Sequence, residues 1–470
     1  MAAKPKNRVS DLDSSLKAAI KEGATSNAST VMTSNYIIPF ALFLGANNKD
    51  VGFLVVIQNL GLAIAQIPGA RMAGIYSRKA IWYFSMILSR ILWLLVPIVL
   101  ILPGNQLAAF MIIIFIIFFL NGLRNPAWTS MMGDIVPQNI RGAYFGKRNM
   151  IAGIAGILSL MASGLIVEYL GFNWLFFLAA AIGLVSIFFF LDVTDPGMKK
   201  KFEYRHTINL DISRIKNSIR KNPDFFWFTS YMVMISFAIA IASPFYTVKM
   251  LKTLDIGYVW YAAVITIDAL VAIFSQPYWG KFIDRYGDKA ILAITGAAIC
   301  FIPFAWIFAN NIPLLILVNA FDGFVFSGFT LVTFNFLLAA LPEDKKTSYI
   351  ANHTFLAGIG TILGTMFGGF LAIFFEASPD PITLILFASF AIRLSTLALM
   401  PKLERGQYNT KESLDHLAVK TLLIEPARSV YYTIGYVYDV NWMYHKIRDF
   451  FSGIHRKIVY RLRIETNGRI

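Results

Sequence analysis

The sequence predicts an all-α polytopic membrane protein, with twelve transmembrane helices in two pseudo-symmetric six-helix bundles. Three observations carry that expectation. The chain is 57% hydrophobic and only 15% charged, with 41 Phe and a mean hydropathy of +0.61, where a soluble chain carries roughly 25% charged residues. So much apolar surface needs lipid as its solvent. The apolar residues come in continuous runs rather than alternating ones, which argues against a membrane β-barrel. Finally, the first six runs align with the last six. An ordinary cytosolic enzyme, a disordered chain and a disulfide scaffold are all excluded.

A helix needs about 20 apolar residues to cross a bilayer. Twelve stretches qualify: 26–46, 51–70, 80–102, 107–132, 144–169, 173–193, 225–248, 257–279, 289–309, 312–340, 348–375 and 381–401. Polar breaks such as Asn47-Asn48-Lys49-Asp50 and Asn310-Asn311 separate them. The expected organisation is a cytoplasmic N-terminus (1–25), a first bundle (26–193), a charged central loop (194–224), a second bundle (225–401) and a tail (402–470). The N-terminus has no apolar core of the kind a signal peptide needs. Cys300 is the single cysteine, so no intrachain disulfide or cysteine-based metal site is expected. No nucleotide-binding glycine pattern or nucleophile elbow is present, and no cofactor is expected.

Charge sets the orientation. Lys and Arg number 42, of which 36 fall in the two termini and the loops on their side, and three (Lys49, Lys249 and Lys252) fall on the other. Positive residues stay in the cytoplasm, so both termini are expected there. The net charge of +15 is then a topology signal with some attraction to anionic lipid, and nucleic acid is not an expected partner.

The repeat is visible residue by residue. At a shift of about 205, Pro39-Phe40 meets Pro244-Phe245, Asp50-Val-Gly52 meets Asp255-Ile-Gly257, and Ala152-Gly153-Ile154 meets Ala357-Gly358-Ile359. A ladder of Ala155, Ser159 and Ser163 falls on Gly360, Gly364 and Gly368. Small residues every four positions make a flat helix face for close packing. Paired repeats of this kind are a transporter architecture.

The loop after span 8, Gly280-Lys-Phe-Ile-Asp284-Arg285-Tyr-Gly287-Asp-Lys289, resembles the G-x-x-x-D-R-x-G-[RK]-[RK] signature of the major facilitator superfamily. Asp288 is the one departure. The equivalent first-half loop, 70–79, is degenerate, with Gly74 where the Asp would stand. After span 4, Asp134-Ile-Val-Pro137-Gln-Asn-Ile-Arg141-Gly142 is similar to a second family segment. The resemblance covers residues 26–401 and implies a secondary transporter whose two bundles rock around a midplane site. It also implies that spans 1, 4, 7 and 10 line the cavity.

Within that frame, charges inside spans are the leading candidates, because burying them is costly. Asp322 and Asp268 lie near the middle of spans 10 and 8; to carry protons each would have to hold one near neutral pH, which burial favours. Arg124, flanked by Asn121, Asn125 and Trp128 around Pro126, suits a polar or anionic group, or a gate. Asn35, Tyr246 and Asn335 are further cavity candidates, with helix–helix hydrogen bonding as the alternative for each. Arg90 and Arg393 lie in spans that are peripheral in the family and are expected to snorkel or pair structurally. Gly280, Asp284, Arg285, Gly287 and Lys289 form the expected cytoplasmic latch. In it Asp284 would accept from the start of span 11, and Gly280 and Gly287 would allow close approach and positive φ.

In the tail, Met443, Ile447, Phe450, Ile454, Ile458 and Leu462 recur at helical spacing among Lys446, Arg448, Arg456, Lys457 and Arg461, as in a basic helix lying on anionic lipid. The leading function is secondary active transport of a small solute in the plasma membrane, with proton coupling. A drug/proton antiporter would carry a proline-glycine run in span 5, and Ala152-Gly-Ile-Ala-Gly156 has no proline. The alternatives are a transport-inactive receptor or scaffold using the tail and, with less support, a membrane-embedded transferase.

Overall fold

The computed structural model describes residues 6–137, 140–193, 223–340 and 346–402, together with Leu422. The central loop up to residue 222 and the amphipathic stretch of the tail lie outside them. Among the described residues every regular element is helical: α1 (Lys6–Ser34), α2 (Ile37–Phe43), α3 (Asn48–Ile75), α4 (Arg78–Leu95), α5 (Gln106–Ile135), α6 (Arg141–Leu170), α7 (Phe172–Leu191), α8 (Pro223–Val248), α9 (Gly257–Tyr286), α10 (Asp288–Phe308), α11 (Ile312–Ala340), α12 (Lys346–Phe374) and α13 (Pro381–Thr396).

Local chemistry explains several boundaries. Asn47 and Asp50 exchange side-chain-to-backbone hydrogen bonds of 3.0 Å, a capping box that starts α3. Gly287, at φ +87°, gives the sharp turn between α9 and α10, as its place in the loop signature requires. Gly280 departs from expectation: it lies inside α9 with open space around it, so it serves neither positive φ nor close approach.

Among the described residues, eleven helices are long and apolar enough to cross a membrane. The exception is the first predicted span. Its helix starts at Lys6, twenty residues before position 26, and breaks at Asn35 and Tyr36 before α2. Its polar half escapes a hydropathy reading because it is amphipathic. Leu16, Ala18 and Ala19 pack into a core with Trp82, Met86, Met131 and Tyr144. α1 is thus one continuous helix from Lys6, and from Ser15 onward it packs within the helical body.

Within the first half, α1 packs on α6 and α7, α3 on α5, and α4 on α5 and α7; the second half repeats this with α8 on α12 and α13, α9 on α11, and α10 on α11 and α13. The glycine ladder does what its spacing predicts. Gly360, Gly364 and Gly368 lie against the backbone of Val233, Phe237 and Ile241, so α12 and α8 touch with no side chain between them.

The halves meet chiefly through α3–α12 and α6–α9. Gly52 lies against Gly369, where an added Cβ would sit 2.5 Å from the Gly369 Cα, and Gly164 lies against Tyr258 and Ala262. Nearby, Glu168 accepts from the Tyr258 backbone N–H at 2.8 Å, and the Tyr261 hydroxyl donates to the Asn35 carbonyl at 2.7 Å. Lys49 pairs with Glu376 at 3.7 Å. These two hydrogen bonds and this ion pair between the halves all sit at the lysine-poor end. That end is sealed.

Candidate functional site

Asp322 is the eleventh residue of α11, about 15 Å along its axis at 1.5 Å per residue, half of a hydrocarbon layer roughly 30 Å thick. Gly323 beside it lacks a side chain, so the backbone of α9 approaches closely there and brings Asp268 with it. A Cβ on Gly323 would sit 2.9 Å from the Asp268 carboxylate. The two carboxylates are close enough to interact electrostatically. Both line a cavity of about 400 Å³ with Tyr246, Gln276, Phe326 and Arg393, and with hydroxyls from Ser243, Ser327 and Thr330.

Of the two expectations for Arg393, snorkelling fails and structural pairing holds: it is 2% exposed and reaches inward from α13 to line the chamber. One terminal nitrogen donates to the Ile299 carbonyl at 2.9 Å, and the other approaches the Tyr246 hydroxyl at 3.4 Å. Tyr246 is held flat on Trp306, with ring centroids 4.5 Å apart. Among the described residues, Asp268 and Asp322 accept no hydrogen bond and form no ion pair. The arrangement is a chamber of mixed polar and apolar lining, with two acids that have no partner among the described residues and one guanidinium already engaged by neutral oxygens. Chemically it can hold a proton, a cation or hydrogen-bonding groups of a solute.

The other candidates go elsewhere. Asn35 does not line this chamber: its amide donates to the Val31 carbonyl at 2.9 Å, and its own carbonyl accepts from Tyr261 across the sealed end. Asn121, Asn125, Trp128 and Asn335 do not line this chamber. Among the described residues Arg124 contacts the Met86 sulfur inside the first half. Around it gather Arg90, 3% exposed, and Glu22, which pairs with Arg148 at 3.1 Å. Arg148 also lies over the Trp128 ring at 4.7 Å. Glu22 escaped the sequence reading because it precedes the predicted span. Arg393 was discounted for its helix, although its charge in an apolar run was the same signal that singled out Asp322.

In the signature loop, Asp284 and Arg285 are exposed, and Arg285 lies over the Tyr286 ring at 5.2 Å. Asp284 makes no hydrogen bond among the described residues, and residues 341–345 just before α12 lie outside them. The degenerate first-half loop is tied down. Buried Arg78 donates to Asp134 at 2.6 Å and to the Ser130 hydroxyl at 3.0 Å, and Arg141 donates to the Gly133 carbonyl at 2.7 Å.

The profile of the Major Facilitator Superfamily matches residues 23–267 and 232–438. The chain belongs to that superfamily. Among curated relatives, the multi-drug resistance efflux pump PmrA of Streptococcus pneumoniae is 28% identical over 150 residues, covering 31% of this chain and 37% of that protein. The multidrug resistance protein MdtG of Proteus mirabilis is 25% identical over 215 residues, covering 44% of this chain and 53% of that one. The chain thus spans between a third and about half the length of these relatives. Among solved structures, a mutant of the nucleoside transporter NupG matches with a TM-score of 0.67 at 15% identity, covering 84% of this chain and all of that one. A bacterial homologue of the iron transporter ferroportin, in an inward-facing state, matches with a TM-score of 0.63 at 12% identity, covering 85% of this chain and all of that one. These likenesses concern the fold.

Proposed function

We propose that this protein is a proton-coupled secondary transporter of a small solute, working by alternating access in the plasma membrane, with Asp322 as the proton carrier and Asp268 as its neighbour. One observation carries the reading: two carboxylates face a mid-membrane chamber with no protein partner among the described residues. Ionised acids at that depth are costly, roughly 2.5–3.5 kcal/mol for Asp at a helix centre. Neutralisation by a proton or a cationic group removes that cost. Arg393 stands near enough to stabilise the ionised form, so a small helix shift that closes this gap would release the proton and link it to movement.

The charge asymmetry supports placing the lysine-rich end in the cytoplasm, so the sealed lysine-poor end faces outward and the described conformation is inward-facing. Cysteines introduced at Asn105 should then react with an impermeant maleimide from outside. Reaction only after permeabilisation would reverse the orientation. The names of PmrA and MdtG support an apolar drug-like solute; the proline-free fifth span argues against the drug/proton group.

The test begins with counterflow in proteoliposomes to find a transported solute, which also separates a transporter from a transport-inactive receptor. Asp322→Asn should then abolish accumulation driven by an imposed pH gradient and spare exchange down the solute's own gradient. Undiminished dependence on the pH gradient would remove Asp322 from the role and pass it to Asp268.

A further inference from the structure

The first bundle holds an imbalance of the opposite sign. Arg90 on α4, Arg124 on α5 and Arg148 on α6 all lie within electrostatic reach of Glu22 on α1, so three guanidiniums share one carboxylate. That carboxylate is taken. It pairs with Arg148 at 3.1 Å, and Arg148 also donates to the Ala19 carbonyl at 3.2 Å. Arg124 has the Met86 sulfur as its contact, and a thioether is a weak acceptor. Arg90 is 3% exposed, and two of its guanidine nitrogens are buried with no hydrogen-bond partner. It lies against Gly183 on α7, where any side chain would collide with it.

Arg124 meets α4 at Met86, one turn before buried Arg90; among the described residues neither guanidinium donates to an oxygen, so each keeps a desolvation cost without a compensating contact. Guanidinium forks of this kind bind carboxylate and phosphate groups, and two of them can share one such group. Access is available, since Arg124 is partly exposed and Asn125, next to it, is exposed. We propose that Arg90 and Arg124 form a binding site for an anionic group, carboxylate or phosphate, in the first bundle. The site stands apart from the acidic chamber of the second bundle and does not depend on proton coupling. The anionic group could belong to a soluble solute or to a lipid headgroup.

The test uses the purified full chain and isothermal titration with acetate, succinate and inorganic phosphate, at constant ionic strength balanced by sodium HEPES. The expected result is saturable binding of at least one of them at one site per chain. Arg90→Gln and Arg124→Gln should each weaken it by about tenfold or more, as loss of a charge-assisted contact predicts, and exposed Arg71→Gln should leave it unchanged. Arg124→Lys, which keeps the charge but loses the fork, should fall between. If a variant does not fold, phenylglyoxal modification of the wild type is decisive: the bound anion should slow reaction at Arg124 and not at Arg71. Repeating this in nanodiscs of phosphatidylcholine, with and without phosphatidylglycerol, separates the two sources. Protection by phosphatidylglycerol alone assigns the group to lipid; protection by the soluble anion in pure phosphatidylcholine assigns it to a solute. Absence of saturable binding and of protection by any of these, or wild-type binding in both glutamine variants, would overturn the site.

Discussion

Arg393 shows how one buried side chain can organise a chamber. Its terminal nitrogens hold the Ile299 carbonyl and the Tyr246 hydroxyl, and Tyr246 in turn lies on Trp306. Arg393→Gln should therefore lower thermal stability, because the Ile299 contact is lost in a buried setting, at a cost of about 1–3 kcal/mol. Lysine should restore little, since it cannot reach two acceptors in a plane. The check is a thermal unfolding midpoint in detergent, and an unshifted midpoint would show that these contacts contribute no stability. At this scale the sequence was legible where a charge interrupted an apolar run, as for Asp268 and Asp322. It was not legible where direction mattered. Neither the inward reach of Arg393 nor the self-bonding of the Asn35 amide can be read from spacing, because both depend on which neighbouring helix presents a free carbonyl.

Helix packing was more readable. The spacing of Gly360, Gly364 and Gly368 announced a flat face, and the structure lays that face against α8. Gly364 is the tightest point, where a Cβ would strike the Phe237 carbonyl. Backbone cannot swing aside as a side chain can, so Gly364→Ala should cost about 1–3 kcal/mol, in the range of an overpacked core. Gly146→Ala, at an open position on α6, should be neutral or slightly stabilising through helix propensity. Comparing the two thermal midpoints isolates packing from propensity, and equal shifts would contradict the close contact. The degenerate loop before α4 was less readable. It lacks the signature acid, with Gly74 in its place, yet Arg78 there is buried on Asp134 and Ser130, held by a segment 52–56 residues away in sequence.

For the whole molecule, the repeat and the span count established two related bundles, and the structure adds how they meet. The two crossing points obey the same shift of 205 that relates the repeats: Gly52 corresponds to Gly257, and Gly164 to Gly369. A wedge at either crossing should hold the lysine-poor end open. Gly52→Val should raise labelling of a cysteine placed at Ser243, in the chamber, from that end by about 5–150-fold, the range that 1–3 kcal/mol of coupling allows. Labelling no faster than in the unwedged protein would mean that the seal lies elsewhere. The least legible part was α1, whose charged half packs on α6 and α7. It is also the part with a consequence for biosynthesis. Emerging from the ribosome, α1 is too polar for the insertion machinery to retain as a span by partitioning into lipid. Its partners are translated more than a hundred residues later, so the first helix becomes membrane-embedded late, by docking into a bundle whose other members are already in place.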